Sequence, residues 1–402
     1  MSRLGDDGPV RNIFDATFAR EPWPVLRSLR DDGGVHRVAT PDGPPAWLIT
    51  RYPDVRAGLL DDRLSTNMRY SRGDDYRGFA VPDALAVFQT SEPAELARLR
   101  SLVVGELRLA GDWSARAARL VGACVAELDK TAEFDFVARV ALPLPAAILG
   151  ELLGLPESER DSLAAWANAT VAPDARPRAR DTLGVMQRII SAVITRGREG
   201  TDDTMLGRLV RSGISGAAGD SGELPGLLFY LLFVWYEVLM DVLAGAVLAL
   251  STRPEQLAVL LSDADRSVAV DELLRYLSPQ VLSSPRFATT DLEIAGRSIA
   301  AGETVLLCLA SANHDPERFT GTLESTGAVA LDLCRAPNPH VALGHGAHAC
   351  VGAALLRPVL ASILGELYLH RPQLRAVTDE SKVPWRSGFR HRGPLTLPVR
   401  TR

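Results

Sequence analysis

The chain has 402 residues, 47% hydrophobic and 23% charged, with a net charge of −5 at pH 7. That composition excludes a disordered or collagen-like polymer, and mild acidity without Lys/Arg blocks argues against a nucleic-acid partner. The length suggests two or three domains of about 100–200 residues, or one large unit able to enclose a cofactor. Four cysteines (Cys124, Cys308, Cys334, Cys350) lie far apart with no CxxC pair, so a disulfide framework and an all-Cys zinc site are disfavoured. Cysteine is expected to act singly.

Met1 to Val10 lacks the apolar run of a secretory signal, which makes the cytoplasm the expected compartment. Arg37–Ala39 and Trp47–Thr50 flank Pro41-Asp42-Gly43-Pro44-Pro45 and read as a hairpin. Tyr52–Leu60 reads as a helix with Pro in its first turn. From Pro93 to Arg211 apolar residues recur at helical spacing, as in Leu99, Leu102, Val103, Leu107 and in Leu120, Val121, Cys124, Val125, Leu128. A Gly/Ser-rich loop spans Arg211–Gly222. Pro225–Leu250 then forms a helix of ~39 Å, apolar nearly all round and therefore interior. Its longest uncharged run, Leu224–Tyr236, is shorter than the ~20 residues of a membrane span, because Glu237 and Asp241 interrupt it. No membrane association is expected.

A helix over Asp271–Leu277 is followed by strands at Arg286–Ala288, Leu292–Ile294 and Thr304–Leu309. A Pro/Gly-rich loop, a helix from Cys350 and a terminal strand pair complete the chain. Cys124, Cys308 and Cys334 read as core or strand residues. The fold class is mainly α with small β-sheets, neither alternating βα nor a sandwich.

The sharpest segment is Leu343-Gly344-His345-Gly346-Ala347-His348-Ala349-Cys350-Val351-Gly352. Its glycines allow tight turns and close approach to a flat ligand. A thiolate at Cys350 would gain from the positive end of the following helix, and a lone thiolate in an apolar loop suits a soft axial metal ligand. Two other readings remain at this point: a zinc site of His345, His348 and Cys350, or a buried free thiol. Upstream, Glu272 and Arg275 share one helix face, a pairing that is ordinarily a solvated surface contact.

In this order the segments resemble the cytochrome P-450 family of haem-thiolate enzymes in its soluble bacterial form. The Cys loop matches F-G-x-G-x-H-x-C-x-G with Leu343 in place of Phe. Glu272 and Arg275 match E-x-x-R, and Arg335-Ala336-Pro337-Asn338-Pro339-His340 supplies the Arg that joins them. Arg286-Phe287-Ala288 and the stretch Leu309–Phe319 are also similar to family segments, and the likeness runs from about Trp47 to the C-terminus.

The resemblance implies a helix-rich, triangular single domain over residues 1–402. About 1–20 would be an N-terminal extension, 343–352 the haem-thiolate loop and 225–250 the long distal helix. It implies haem b (iron protoporphyrin IX), with Cys350 as the axial iron ligand. His348, Arg286 and Arg100 would hold the propionates by charge-assisted bonds, and Leu343, Gly344 and Gly352 would shape the loop. Glu272, Arg275 and Arg335 would be structural. A small-molecule substrate is implied, as are a separate ferredoxin and ferredoxin reductase for a monooxygenase.

The distal helix departs from the family's A-G-x-E/D-T. Aligning Glu237 on the acid puts Trp235 at a glycine position and Val238 at the threonine. Val lacks the hydroxyl that would donate a hydrogen bond or order a water, and an indole near the iron would fill space or bend the helix. Leu96 replaces a His that often reaches a propionate, and Pro358 lies inside the helix after Cys350, where it favours a kink. Glu237, Val238 and Trp235 are thus the candidate catalytic set. Three functions remain open: tailoring of a natural product by monooxygenation, a haem-bound cyclisation, rearrangement, dehydration or coupling, and a haem-binding protein without turnover.

Overall fold

The computed structural model describes residues 9–41, 43–72, 85–109, 113–126, 128, 133–171, 179–200, 203–212, 222–262, 266–386 and 389–401. The first segment carries α1 (Ala16–Arg20), α2 (Trp23–Asp31), β1 (Val35–Thr40), β2 (Gly43–Ile49), α3 (Tyr52–Leu60) and β3 (Leu64–Ser65). A helical region follows, with α4 (Val87–Thr90), α5 (Pro93–Leu109), α6 (Ser114–Ala126), the short β4 (Glu133–Asp135), α7 (Pro143–Leu153), α8 (Glu157–Val171), α9 (Ala179–Glu199) and α10 (Met205–Arg211). The long helix is α11 (Glu223–Phe229), a π-helical turn over Tyr230–Val234, and α12 (Trp235–Ser251). Then come α13 (Pro254–Ser262), α14 (Ser267–Leu277), β5 (Arg286–Ala288), β6 (Leu292–Ile294), β7 (Arg297–Ile299), β8 (Thr304–Leu307), α15 (Leu309–Asn313), α16 (Ala353–His370), β9 (Arg375–Ala376) and β10 (Pro398–Arg400).

Local chemistry explains many of the ends. Asp15 caps α1 by accepting from Phe18 N at 2.9 Å. Thr204 caps α10 by accepting from Gly207 N at 3.1 Å. Asp315 Oδ2 accepts from Tyr52 N at 2.8 Å, so a distant carboxylate caps α3, whose first turn also holds Pro53. Helix α7 stops at Gly154, with φ of 71°, and a Cβ there would lie 2.4 Å from Thr204 Cγ2. Only glycine meets both demands.

The hairpin and α3 lie where the sequence puts them. Several boundaries move. Helix α14 starts at Ser267, the long helix at Glu223, and α16 at Ala353 rather than Cys350, while β8 ends at Leu307 because Leu309 opens α15. Pro358 stands on the exposed face of an unbroken α16. Cys334, expected in core or strand, is exposed in a turn; Cys308 is buried. Of the expected Arg211–Gly222 loop, residues 213–221 lie outside the described residues, as do 1–8 of the N-terminal segment.

The chain divides into two compact units. The first gathers residues 1–80, 271–350 and 385–392 around a five-stranded sheet of order β1-β2-β8-β5-β3. Strands β2 and β8 run parallel, with Trp47 opposite Val305 and Ile49 opposite Leu307; the other pairs are antiparallel. Alternation supplies both faces of the sheet. Trp47, Ile49, Val305 and Leu307 enter one apolar cluster, and Leu48, Leu306 and Cys308 enter another. Phe18, within the expected N-terminal extension, is 1% exposed and belongs to the second cluster.

The second unit comprises residues 81–270, 351–384 and 393–402. Its helices surround the long helix, which is buried from Leu224 to Leu250 except at Tyr230, Val234 and Glu237. The antiparallel sheet β4-β10-β9 lies in this unit. Among the described residues two helices are long and apolar enough to cross a membrane, Glu223–Ser251 and Ala353–His370, but 89% of the first one's most apolar stretch is buried in protein. It is a core helix, as its sequence suggested.

Candidate functional site

In the first unit the structure brings Glu272, Arg275 and Arg335 together. Arg275 donates through Nε and NH2 to both oxygens of Glu272, at 2.7 and 2.8 Å, and Arg335 Nε donates to Glu272 Oε2 at 3.0 Å. Glu272 and Arg275 are fully buried. A buried ion pair repays its desolvation only when the remaining lone pairs and N–H groups are also satisfied. Here they are: Arg275 donates to the carbonyls of Asn313, Val329 and Ala330, and Glu272 also accepts from Asp332 N and Asn338 Nδ2.

Two residues of this network were not singled out in the sequence. Asn338 was quoted only as part of the Arg335 segment. Asn313 accepts from Val341 N at 2.8 Å through Oδ1 and donates to Ser278 Oγ at 3.0 Å. It thereby ties the ionic cluster to the strand of chain entering the cysteine loop. The signal was present: an Asn directly after Leu309-Ala310-Ser311-Ala312, on the same short helix, is buried with it, and a buried amide needs partners.

The loop itself is closed by its backbone. Cys350 N donates to Leu343 O at 2.7 Å, and a single 3-10 turn spans Gly346–His348. Gly344 and Gly346 have φ of 71° and 75°. The positive φ of Gly346 favours glycine, and a Cβ there would also displace the exposed Leu60 side chain, 2.7 Å away at Cδ2, and crowd Leu59 O at 3.3 Å. Leu343, His348 and Cys350 are partly buried; Gly352 is buried and caps α16, its carbonyl accepting from Leu356 N.

Arg286 on β5 is 3% exposed. Its Nε has no hydrogen-bond partner, and no carboxylate pairs with it among the described residues. Burial alone pushes its pKa down to about 10. An unpaired interior guanidinium is costly, and its planar donors match a carboxylate. The position therefore suits an anion supplied from outside the protein chain.

The second unit holds the remaining candidates. Tyr230, Val234 and Glu237 follow one another at spacings of four and three, which aligns them along one side of the long helix. Val238, 8% exposed, borders this stripe. Trp235 does not belong to it. It is one position, about 100°, around the helix from Val234, is 5% exposed, and its indole N–H has no acceptor among the described residues. Trp235 is thus a helix neighbour of Val238, three residues on, and faces away from Glu237. The backbone irregularity lies one turn earlier, in the π-helical turn. Tyr236 points elsewhere again and donates to Leu142 O. On α5, Arg100 is partly buried and Leu96 is 3% exposed.

Comparison with known proteins identifies the family and the fold. The family profile described as "Cytochrome P450" matches residues 267–370. The chain is 31% identical to vitamin D(3) 25-hydroxylase of Pseudonocardia autotrophica, over 96% of each protein. It is 34% identical to cytochrome P450 monooxygenase PikC of Streptomyces venezuelae, over 96% of this chain and 92% of the relative. Among solved structures, SgvP, described as a putative thioether synthase in the tailoring step of griseoviridin, superposes with a TM-score of 0.85 at 29% identity, covering 98% of this chain and 100% of that one. The chain belongs to the cytochrome P450 family. It has the fold of that family and is a P450-type enzyme, for which haem iron, small-molecule substrates and redox partners are the general pattern.

Proposed function

We propose that this chain is a haem b monooxygenase that tailors a small-molecule natural product in the cytoplasm, with its proton supply resting on Glu237 and no threonine hydroxyl. The observation that carries the reading is Arg286: a buried, unpaired guanidinium in the same unit as the Cys350 loop. A haem propionate fits that position. His348 and Arg100 would pair with propionate as well, and Cys350 Sγ would be the axial ligand. When bound, haem supplies the iron at which dioxygen is reduced and one oxygen atom is passed to substrate.

The residues divide the remaining work. Leu343, Gly344 and Gly352 keep the chain beside the sulfur narrow and turned. Glu272, Arg275 and Arg335 fix the approach to that loop through Asn313 and Val341, so that the thiolate is held before the ligand arrives. Glu237 can take up and release a proton at its carboxyl on the open side of the helix. Val238 offers only methyl groups, so a water beside it must be ordered by Glu237 or by substrate. Electrons would come from a separate ferredoxin and ferredoxin reductase.

Reduced protein under carbon monoxide should give the thiolate-type Soret shift, and Cys350→Ser should lose it. Glu237→Gln should keep the shift yet lower turnover roughly 100-fold or more. Absence of haem from protein produced with a haem supply would sink the reading.

A second reading is favoured by Val238 together with the description of SgvP as a putative thioether synthase. There the bound haem would serve a cyclisation, coupling, rearrangement or dehydration without net insertion of oxygen. Product formed from pathway intermediates without an added oxygen atom, traced with labelled dioxygen, selects this reading over the first.

A further inference from the structure

Tyr230 is an unusual residue for its position. It opens the π-helical turn of a helix that is otherwise apolar and buried, and with Val234 and Glu237 it forms the part of that helix left open. Its ring is fixed by edge contacts with Phe88 on α4, at 5.3 Å between centroids, and with Phe229, at 5.4 Å. Phe88 is also partly exposed, so the two rings form one wall. Among the described residues nothing accepts from or donates to the Tyr230 hydroxyl. Burial raises its pKa well above the usual phenol range, so the group is a neutral O–H at any physiological pH.

A phenol in a desolvated setting normally finds a partner. Its neighbour Tyr236, six residues on, does so with Leu142 O. Tyr230 has the same need and an open side. A charged ligand group is a poor match, because the Tyr230 ring is held between Phe88 and Phe229 and the next residue of the open stripe is the apolar Val234. An uncharged acceptor on an apolar molecule satisfies the O–H without bringing a charge into that surrounding.

We infer that Tyr230 is a specificity-determining residue that donates a hydrogen bond to a neutral oxygen, a ketone, ester or ether, of an otherwise apolar substrate packed against Phe88. The inference rests on the proposed function for the reaction but not for the binding. Seven residues of helix separate Tyr230 from Glu237, about 10 Å of rise. The acceptor is therefore held well away from the end of the stripe where the proton is supplied, which fixes one end of the substrate and presents the other.

The test uses two probes of similar shape, 4-phenylcyclohexanone and phenylcyclohexane, titrated calorimetrically into the purified protein and into Tyr230→Phe. The protein should bind the ketone roughly 3- to 10-fold more tightly than the hydrocarbon, the worth of one neutral hydrogen bond. Tyr230→Phe should bring the ratio to about one while leaving hydrocarbon affinity and thermal midpoint unchanged. In infrared spectra the carbonyl stretch of the bound ketone should lie lower with the parent protein than with Tyr230→Phe. Equal affinity of the parent protein for both probes, or a preference and a carbonyl shift that survive in Tyr230→Phe, overturns the inference. Calorimetry needs no haem signal, so failure of the haem reading, seen as a missing carbon monoxide band, is a separate result.

Discussion

His314 is committed to its neutral form by geometry as well as by burial. Its Nδ1 accepts from Val329 N at 3.1 Å, and its Nε2 donates to Tyr276 O at 2.9 Å. A proton on Nδ1 would face a backbone N–H. Desolvation, aided by the positive field of Arg275, holds its pKa well below 6.5. The unfolded chain therefore takes up a proton near pH 6.5 that the folded chain refuses, and folding stability falls as pH drops below that value. The expected slope from this residue is about 1.4 kcal/mol per pH unit. Denaturant titrations at pH 7.5, 6 and 5 should give a steeper loss for the parent protein than for His314→Gln. Glu272 is the opposite case, a charge the fold requires. Glu272→Gln leaves Arg275 buried without the carboxylate charge that faces it and should cost about 3–5 kcal/mol, read as a lower midpoint in urea. Its pairing with Arg275 was legible through the match to E-x-x-R, since the spacing alone reads as a solvated surface contact. Asn313 was less so, since a single amide shows its partners only in three dimensions.

The long helix gives a different lesson at the scale of an element. Apolar on every side, it has no amphipathic periodicity from which an open face could be read. The stripe of Tyr230, Val234 and Glu237 appears only when accessibility is known. The π-helical turn adds to the difficulty, because it alters the angular offset between residues before and after Val234. Trp235, expected near the iron, is 5% exposed and lies outside that stripe. Trp235→Gly should not open a working site; it should leave a cavity and destabilise by about 3–5 kcal/mol, with a further penalty for glycine in a helix. Trp235→Phe loses no hydrogen bond, since the indole N–H has no acceptor among the described residues, and should cost less than half as much. Thermal midpoints of the two variants check this ordering. Equal losses would mean that the indole makes a polar contact the phenyl ring cannot replace.

At the scale of the whole molecule, the proposed pairing of Arg286 with a haem propionate would couple stability to cofactor loading. Depression of its pKa to about 10 corresponds to a burial penalty of roughly 3 kcal/mol, present below that pH and relieved as pH rises through it. Arg286→Leu should therefore stabilise the haem-free protein by about 1–3 kcal/mol. The same change should weaken the loaded protein, which would surrender haem faster to apomyoglobin. A midpoint that rises without haem and falls with it is the expected signature; a fall in both states would mean that Arg286 has another partner. Haem removal itself should lower the midpoint of the parent protein by mass action. The helix-rich class and most elements were readable from periodicity. The grouping into units was not, because each is assembled from separated stretches of chain.

That assembly has a consequence for how the protein is made. Strand β2 needs β8 on one edge, and Val281 N needs the carbonyl of Arg390. The β1–β2 hairpin thus leaves the ribosome some 250 residues before its parallel neighbour, roughly 10–50 s at bacterial elongation rates of about 5–20 residues per second. During that interval Trp47, Leu48 and Ile49 present an unpaired, sticky edge. Yield in a host should accordingly depend on holdase chaperones and cool growth, and splitting the gene after residue 270 should give an amino-terminal fragment that aggregates.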